Sequence, residues 1–231
     1  MTAPYSLVGI YGGTFDPVHY GHLRIAEELS DILQLDHLFF LPAGSPRLRN
    51  APFVSSAHRT AMLQAAIHHN ALFSVDDREI KRLGPTYSVE TLREIRQEYQ
   101  THHSTDKPVA LCFIIGSDAF IKLPLWYHWH ELFELCHLII TNRPGTALNT
   151  LSDLPDELKA IYKHRVVTTA TALKNSANGY IFIPSTTLLD ISSTKIRHLI
   201  ASGHSARYLL PEAVLHYIDQ HHFYTKNNAI I

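Results

Sequence analysis

The sequence predicts an α/β fold, an open parallel β-sheet with helices covering both faces. Three observations carry that prediction. Short apolar runs of strand length alternate with longer segments of helical period. The apolar runs have the character of buried strands, as a sheet covered on both sides requires. The chain has 231 residues, 45% of them hydrophobic and only 18% charged, enough for a sizeable core.

In order, residues 7–11 form a buried strand that runs into a turn at Gly12 and Gly13. A helix begins near Tyr20, with Leu23, Ala26, Leu29 and Leu33 along one face. Residues 38–41 form a strand closed by Pro42, and a helix over 57–69 precedes a strand over 72–76. A helix over 89–99 and strands over 109–115 and 138–141 complete four or five parallel strands. Residues 143–185 are rich in Gly, Asn, Ser and Thr and predict long connections, with a short helix over 156–162 and a strand over 180–183. Two helices follow Asp190, over 193–202 and 211–221, the second with Pro211 in its first turn. Residues 1–224 are expected to form one domain and 225–231 a frayed tail.

Composition narrows the function classes. Lys and Arg total 20 against 21 Asp and Glu, so charge gives no argument for nucleic acid or an acidic membrane as partner. No stretch approaches the roughly 18 apolar residues of a membrane span. Residues 1–7 include Pro4 and lack the basic and apolar regions of a secretory signal, so cytoplasm is the expected location. Cys112 and Cys136 lie in apolar runs and are expected as reduced core thiols. There are 17 histidines. The pairs His68-His69, His102-His103 and His221-His222 fall near helix ends without Cys or carboxylate partners at zinc spacing, and they are expected on the solvated surface. Oligomeric state is not encoded in any of these features.

Chemistry concentrates where the first strand ends, in Gly12-Gly13-Thr14-Phe15-Asp16-Pro17-Val18-His19-Tyr20-Gly21-His22. Glycines let backbone approach a phosphate, and the N–H groups of a helix start favour anions. His19 and His22 are three apart and share one face of the first helical turn. This is neither a Walker A loop nor the dinucleotide glycine fingerprint. A second stretch, Ile191-Ser192-Ser193-Thr194-Lys195-Ile196-Arg197, offers hydroxyls that can cap a helix or donate to phosphate, with Arg197 one turn on to make a forked contact.

Together the two stretches resemble the T/H-x-G-H nucleotidyltransferase superfamily, through His19-Tyr20-Gly21-His22 and the I-S-S-T-x-I-R element. Three further stretches resemble one branch of it. They are Leu41-Pro42-Ala43-Gly44-Ser45-Pro46-Arg47-Leu48-Arg49, then Arg82-Leu83-Gly84-Pro85-Thr86-Tyr87-Ser88, then Gly116-Ser117-Asp118 with Leu125-Trp126-Tyr127 downstream. Arg49 stands where many relatives carry Lys, and the two hydroxyl residues of the second loop are interchanged. The set is similar to bacterial nicotinate-nucleotide adenylyltransferases, from Val8 to about Tyr217 except over 143–180.

The resemblance implies a Rossmann-like sheet, with C-terminal helices carrying the Ile191–Arg197 element. It implies ATP and nicotinate mononucleotide as substrates, with Mg²⁺ bridging triphosphate oxygens. It implies His19, His22 and Arg197 as the catalytic set. Gly12, Gly13, Thr14, Phe15, Gly116, Asp118, Ile191, Ser193, Thr194 and Arg197 are implied for ATP, with Asp118 on the adenosine ribose. Gly13, Thr14, Arg49, Thr86, Tyr87, Trp126 and Tyr127 are implied for the mononucleotide. Two alternatives stand beside this reading. One is a sister adenylyltransferase for the amide mononucleotide or phosphopantetheine, of which Thr86, Tyr87 and Trp126 disfavour the latter. The other is an idle nucleotide-binding regulator on the same fold, disfavoured by the full set of phosphate-facing groups.

Overall fold

The computed structural model describes residues 4–44, 51–101, 107–142 and 154–226. Its frame is a seven-stranded sheet of β1 (Ser6–Gly13), β2 (His37–Pro42), β3 (Phe73–Val75), β4 (Val109–Gly116), β5 (His137–Thr141), β6 (Val166–Val167) and β7 (Ile181–Phe182). The strands lie in the order β3-β2-β1-β4-β5-β7-β6, and every pairing is parallel.

Strand side chains alternate between two cores, which explains the continuous apolar runs. Ala110, Cys112 and Ile114 of β4 face one core, and Leu111, Phe113 and Ile115 the other. The first core is closed by α1 (Tyr20–Leu33), α2 (Ser56–Ile67), α8 (Ser193–Ala201) and α9 (Glu212–Gln220). They contribute Ala26, Leu29 and Leu33, then Met62 and Leu63, then Ile196, then Val214 and Ile218. The second is closed by α4 (Ser88–Thr101), α5 (Ser117–Ile121), α6 (Leu132–Leu135) and α7 (Asp156–Arg165). Val89, Leu92 and Ile95 of α4 are its longest helical stripe. The inner strands are thus sandwiched, and the predicted fold class holds.

Differences are local. The sheet has seven strands: β7 is the strand expected over 180–183, whereas β6, two residues long, is too short to show a period and was not expected. The four-residue α3 (Arg78–Lys81) was not foreseen either. Pro211 occupies the cap position before α9 instead of its first turn. His68, His69, His221 and His222 are exposed, whereas His102 and His103 lie outside the described residues. Both cysteines are free and buried, and burial pushes both thiols well above their ordinary range, which keeps them protonated. No helix among the described residues is long and apolar enough to cross a membrane.

One buried histidine gives the fold a pH dependence. His137 opens β5 with no exposed surface. Its Nε2–H donates to the Ser176 carbonyl at 3.0 Å, and the Tyr180 N–H donates to Nδ1 at 3.2 Å. Both ring nitrogens are therefore committed to the neutral form, and burial pushes the pKa down to about 4. The unfolded chain takes up this proton near pH 6.5, the folded chain only near 4, so stability rises with pH across that window. Denaturant unfolding is expected to show about 2 kcal/mol less stability at pH 5 than at pH 7 from this group. The His137→Gln variant should lose that part of the slope, and an unchanged slope would refute the assignment.

Candidate active site

The carboxyl ends of β1 and β4 are neighbours at the point where the strand order reverses, the place at which an open parallel sheet leaves a crevice for ligands. A cavity of about 1090 Å³ opens there.

From β1 the chain passes Gly12 and Gly13 into a turn at Thr14, Phe15 and Asp16, all on the cavity wall. Phe15 holds a left-handed φ of 51°, a conformation that needs support from its surroundings. Its ring supplies it, packed edge-on to Tyr11 and His22 at centroid distances of 5.8 and 5.0 Å. A β-carbon at Gly13 would lie 2.7 Å from that ring, so the turn closes only with glycine there. His19 caps α1 and His22 lies in its first turn. Their rings stack with centroids 3.8 Å apart, both are nearly buried, and both line the cavity. A β-carbon at Gly21 would come within 3.0 Å of the His19 ring, so position 21 must be small for the histidines to stack.

The second stretch meets the first directly. Ser192 is the cap of α8, accepting from the Lys195 N–H at 3.2 Å. Ser193 Oγ donates to the Pro17 carbonyl at 2.8 Å, 176 residues away in sequence. Arg197 Nη1 donates to the Asp16 carbonyl at 2.6 Å and Nη2 to Thr194 Oγ1 at 3.3 Å. The guanidinium lies 4.3 Å from the Phe53 ring centroid, in cation–π range. Ile191, Ser193, Thr194 and Arg197 all reach the cavity.

At the end of β4, Gly116 and, in the first turn of α5, Asp118 line the same space. Across from them stand Thr86 and Tyr87, just ahead of α4, with Trp126 and Tyr127. The Tyr87 and Tyr127 rings lie 4.6 Å apart, and Trp126 meets Phe113 edge-on at 6.4 Å. Of the candidate site residues, Arg49 alone lies outside the described ones.

Several wall residues escaped the sequence reading. Glu79, 6% exposed, accepts from Thr91 Oγ1 at 2.9 Å and also bonds the Gly44 N–H and the Thr86 hydroxyl. Burial raises its pKa. One carboxyl thus ties the loop after β2 to the loop before α4. Lys122 and Arg197 are the cations among the described lining residues, and Asp190 is paired with Lys195 at 3.5 Å. Beneath the glycine turn, Arg59 is 1% exposed and donates to the carbonyls of Thr14 and Ala43, each at 2.8 Å. A signal for Arg59 did exist. It shares the buried face of α2 with Met62, Leu63 and Ile67 at helical spacing, an unusual place for a charge. Asp16 and Phe53 offered none, because their roles depend on partners far along the chain.

The cytidylyltransferase-like family matches residues 10–199. A protein of Pseudomonas entomophila bearing the name "Probable nicotinate-nucleotide adenylyltransferase" is 43% identical over 221 residues, covering 96% of each chain. One of the same name from Methylococcus capsulatus is 42% identical, covering 95% of this chain and 100% of its own. Among solved structures, Plasmodium falciparum nicotinic acid mononucleotide adenylyltransferase complexed with NaAD superposes with a TM-score of 0.70 at 16% identity. It covers 95% of this chain and 98% of its own, a likeness of fold.

Proposed function

The chain belongs to the nicotinate-nucleotide adenylyltransferase family, and from that premise we propose how its residues divide the work of adenylyl transfer. The enzyme transfers the adenylyl group of ATP to nicotinate mononucleotide in NAD biosynthesis. A phosphate oxygen of the mononucleotide attacks the α-phosphorus of ATP, the bond to the β-phosphate oxygen breaks, and pyrophosphate leaves with that electron pair.

The nucleophile is a phosphate monoester with a second pKa of about 6, so it is mostly dianionic at neutral pH. A general base has nothing to remove. What opposes the reaction is repulsion between two polyanions and charge gathering on the departing pyrophosphate. Positioned donors and in-line alignment address both. We assign His19 and His22 to the α-phosphate and the bridging oxygen as donors, and Arg197 with Thr194 to the β- and γ-phosphates. Ser193 is engaged with the Pro17 carbonyl, so its contribution is to latch α8 to the glycine turn. The backbone of Gly12, Gly13, Thr14 and Phe15, with Gly116, Asp118 and Ile191, takes the rest of ATP. Gly13, Thr14, Thr86, Tyr87, Trp126 and Tyr127 take the mononucleotide, the pyridine ring against Trp126. Arg49 is proposed to neutralise phosphate from the loop after β2.

Among the described residues no three His, Cys, Asp or Glu side chains converge as a metal cage. Mg²⁺ is proposed as part of the MgATP substrate, a proposal that rests on its usual binding through substrate phosphates. The observation that carries this division of labour is the direct contact of residues 16–17 with residues 193–197, which puts two histidines and an arginine on one cavity. The test is product formation. With ATP and nicotinate mononucleotide the purified protein should release pyrophosphate and yield deamido-NAD, and more slowly with the amide. Equal or faster use of the amide would move the reading to the sister activity.

A further inference from the structure

Behind the cavity wall lies a buried polar cluster that the reaction itself does not consume. Asp16 is 3% exposed, Arg59 1% and Tyr224 3%. The Tyr224 hydroxyl donates to Asp16 Oδ1 at 2.6 Å across 208 residues of chain, and the Phe53 N–H donates to Asp16 Oδ2 at 2.7 Å. Both carboxylate oxygens therefore have a fixed donor. Asp16 lines the cavity, whereas Tyr224 and Arg59 stand behind it.

We propose that Tyr224 is a positioning residue for catalysis, acting through Asp16 to set the guanidinium of Arg197. Two routes lead from Asp16 to that guanidinium. The Asp16 carbonyl accepts directly from Arg197 Nη1 at 2.6 Å. The Asp16 carboxylate also anchors the Phe53 N–H, and the Phe53 ring lies 4.3 Å from the Arg197 guanidinium. A guanidinium has five N–H donors in one plane, so fixing two of them on Asp16 and Thr194 fixes the direction of the others. Arg59 completes the arrangement from below by holding the Thr14 and Ala43 carbonyls. Burial and the adjacent Asp16 carboxylate keep the Tyr224 phenol protonated far above the ordinary tyrosine range, so it serves as a donor at any working pH. Without the hydroxyl, one oxygen of a buried carboxylate next to Arg59 has lost its donor, and the side chain turns to find another. The Asp16 carbonyl and the Phe53 ring shift with it.

The inference rests on the adenylyl-transfer reading above, so the experiment first establishes that the unaltered protein releases pyrophosphate from ATP and nicotinate mononucleotide. Tyr224→Phe removes a single oxygen. Its kcat is expected to fall about tenfold, since a misplacement well below 1 Å is costly in an in-line transfer, with acceptor KM within about twofold. The second arm is a double-mutant cycle with Arg197→Lys. If Tyr224 works through Arg197, Tyr224→Phe should cost little more in the Arg197→Lys background. Unchanged kcat in Tyr224→Phe overturns the proposal. So does a fall that simply multiplies with that of Arg197→Lys, which means Tyr224 acts independently of Arg197, or a Tyr224→Phe protein that does not fold, which makes Tyr224 a tether of the fold. None of these outcomes touches the adenylyl-transfer reading, which stands or falls with the unaltered protein.

Discussion

Replacing His22 with alanine is expected to lower turnover by roughly 10²-fold or more, with little change in the acceptor KM. The size follows from where the imidazole stands. It is 9% exposed, stands in the first turn of α1 and lines the cavity. Its ring is held between the His19 ring at 3.8 Å and the Phe15 ring at 5.0 Å, so it is oriented before substrate arrives. A donor fixed in advance and shielded from water contributes most when charge develops on the phosphate oxygens, and least in the ground state. The loss should therefore appear in kcat. His22→Asn, which keeps a donor near the same position, should recover part of the rate. Steady-state kinetics with near-normal kcat for His22→Ala would remove His22 from the catalytic set.

The second large effect concerns the acceptor. Trp126→Ala is expected to raise the KM for nicotinate mononucleotide by roughly 10- to 100-fold, in line with about 1–3 kcal/mol for stacking a heterocyclic base on an aromatic side chain. Trp126 is part-buried, braced edge-on by Phe113, and exposes the rest of its surface to the cavity beside Tyr127. The groups assigned to the triphosphate belong to other elements, the glycine turn and the starts of α1 and α8. ATP affinity by titration calorimetry should thus stay within about threefold of the unaltered protein, as expected for separate, uncoupled contacts. An equal loss of ATP affinity would mean that Trp126 shapes the whole cavity and does not serve the pyridine ring.

The two effects differ in kind, and the difference traces to the sheet. The histidines sit where β1 feeds a helix start, a backbone arrangement that suits a transferring phosphate. Trp126 follows a short 3₁₀ turn, Leu123–Leu125, next to the loop that Glu79 ties down, an arrangement that shapes a pocket for a ring. On the proposed assignments the histidines and Trp126 stand on different elements at the carboxyl edge of one sheet, so these two substitutions are expected to separate turnover from acceptor recognition.

Much of this was readable from residue order. Strands buried on both faces must be apolar at successive positions, and helices against a sheet must be apolar at every third or fourth. Those periods located most of the elements to within two or three residues. The motifs at 12–22 and 191–197 were legible for a related reason, because a glycine turn, a cap and a helix start are local devices whose residues must be contiguous. Very short elements such as β6 and α3 were not legible, since they contain less than one period of any pattern.

Periodicity and local backbone requirements, then, are written along the chain and specified the α/β class, the sheet and the two motifs that line its crevice. Which buried charges stand behind those motifs was decided only by folding. Asp16 finds Tyr224 across 208 residues and Arg59 reaches two carbonyls on separate strand ends, while Glu79 joins two loops. A buried polar group must find a partner, but nothing local says which one. That choice belongs to the three-dimensional packing of distant segments, and it is there that the geometry of the site is set.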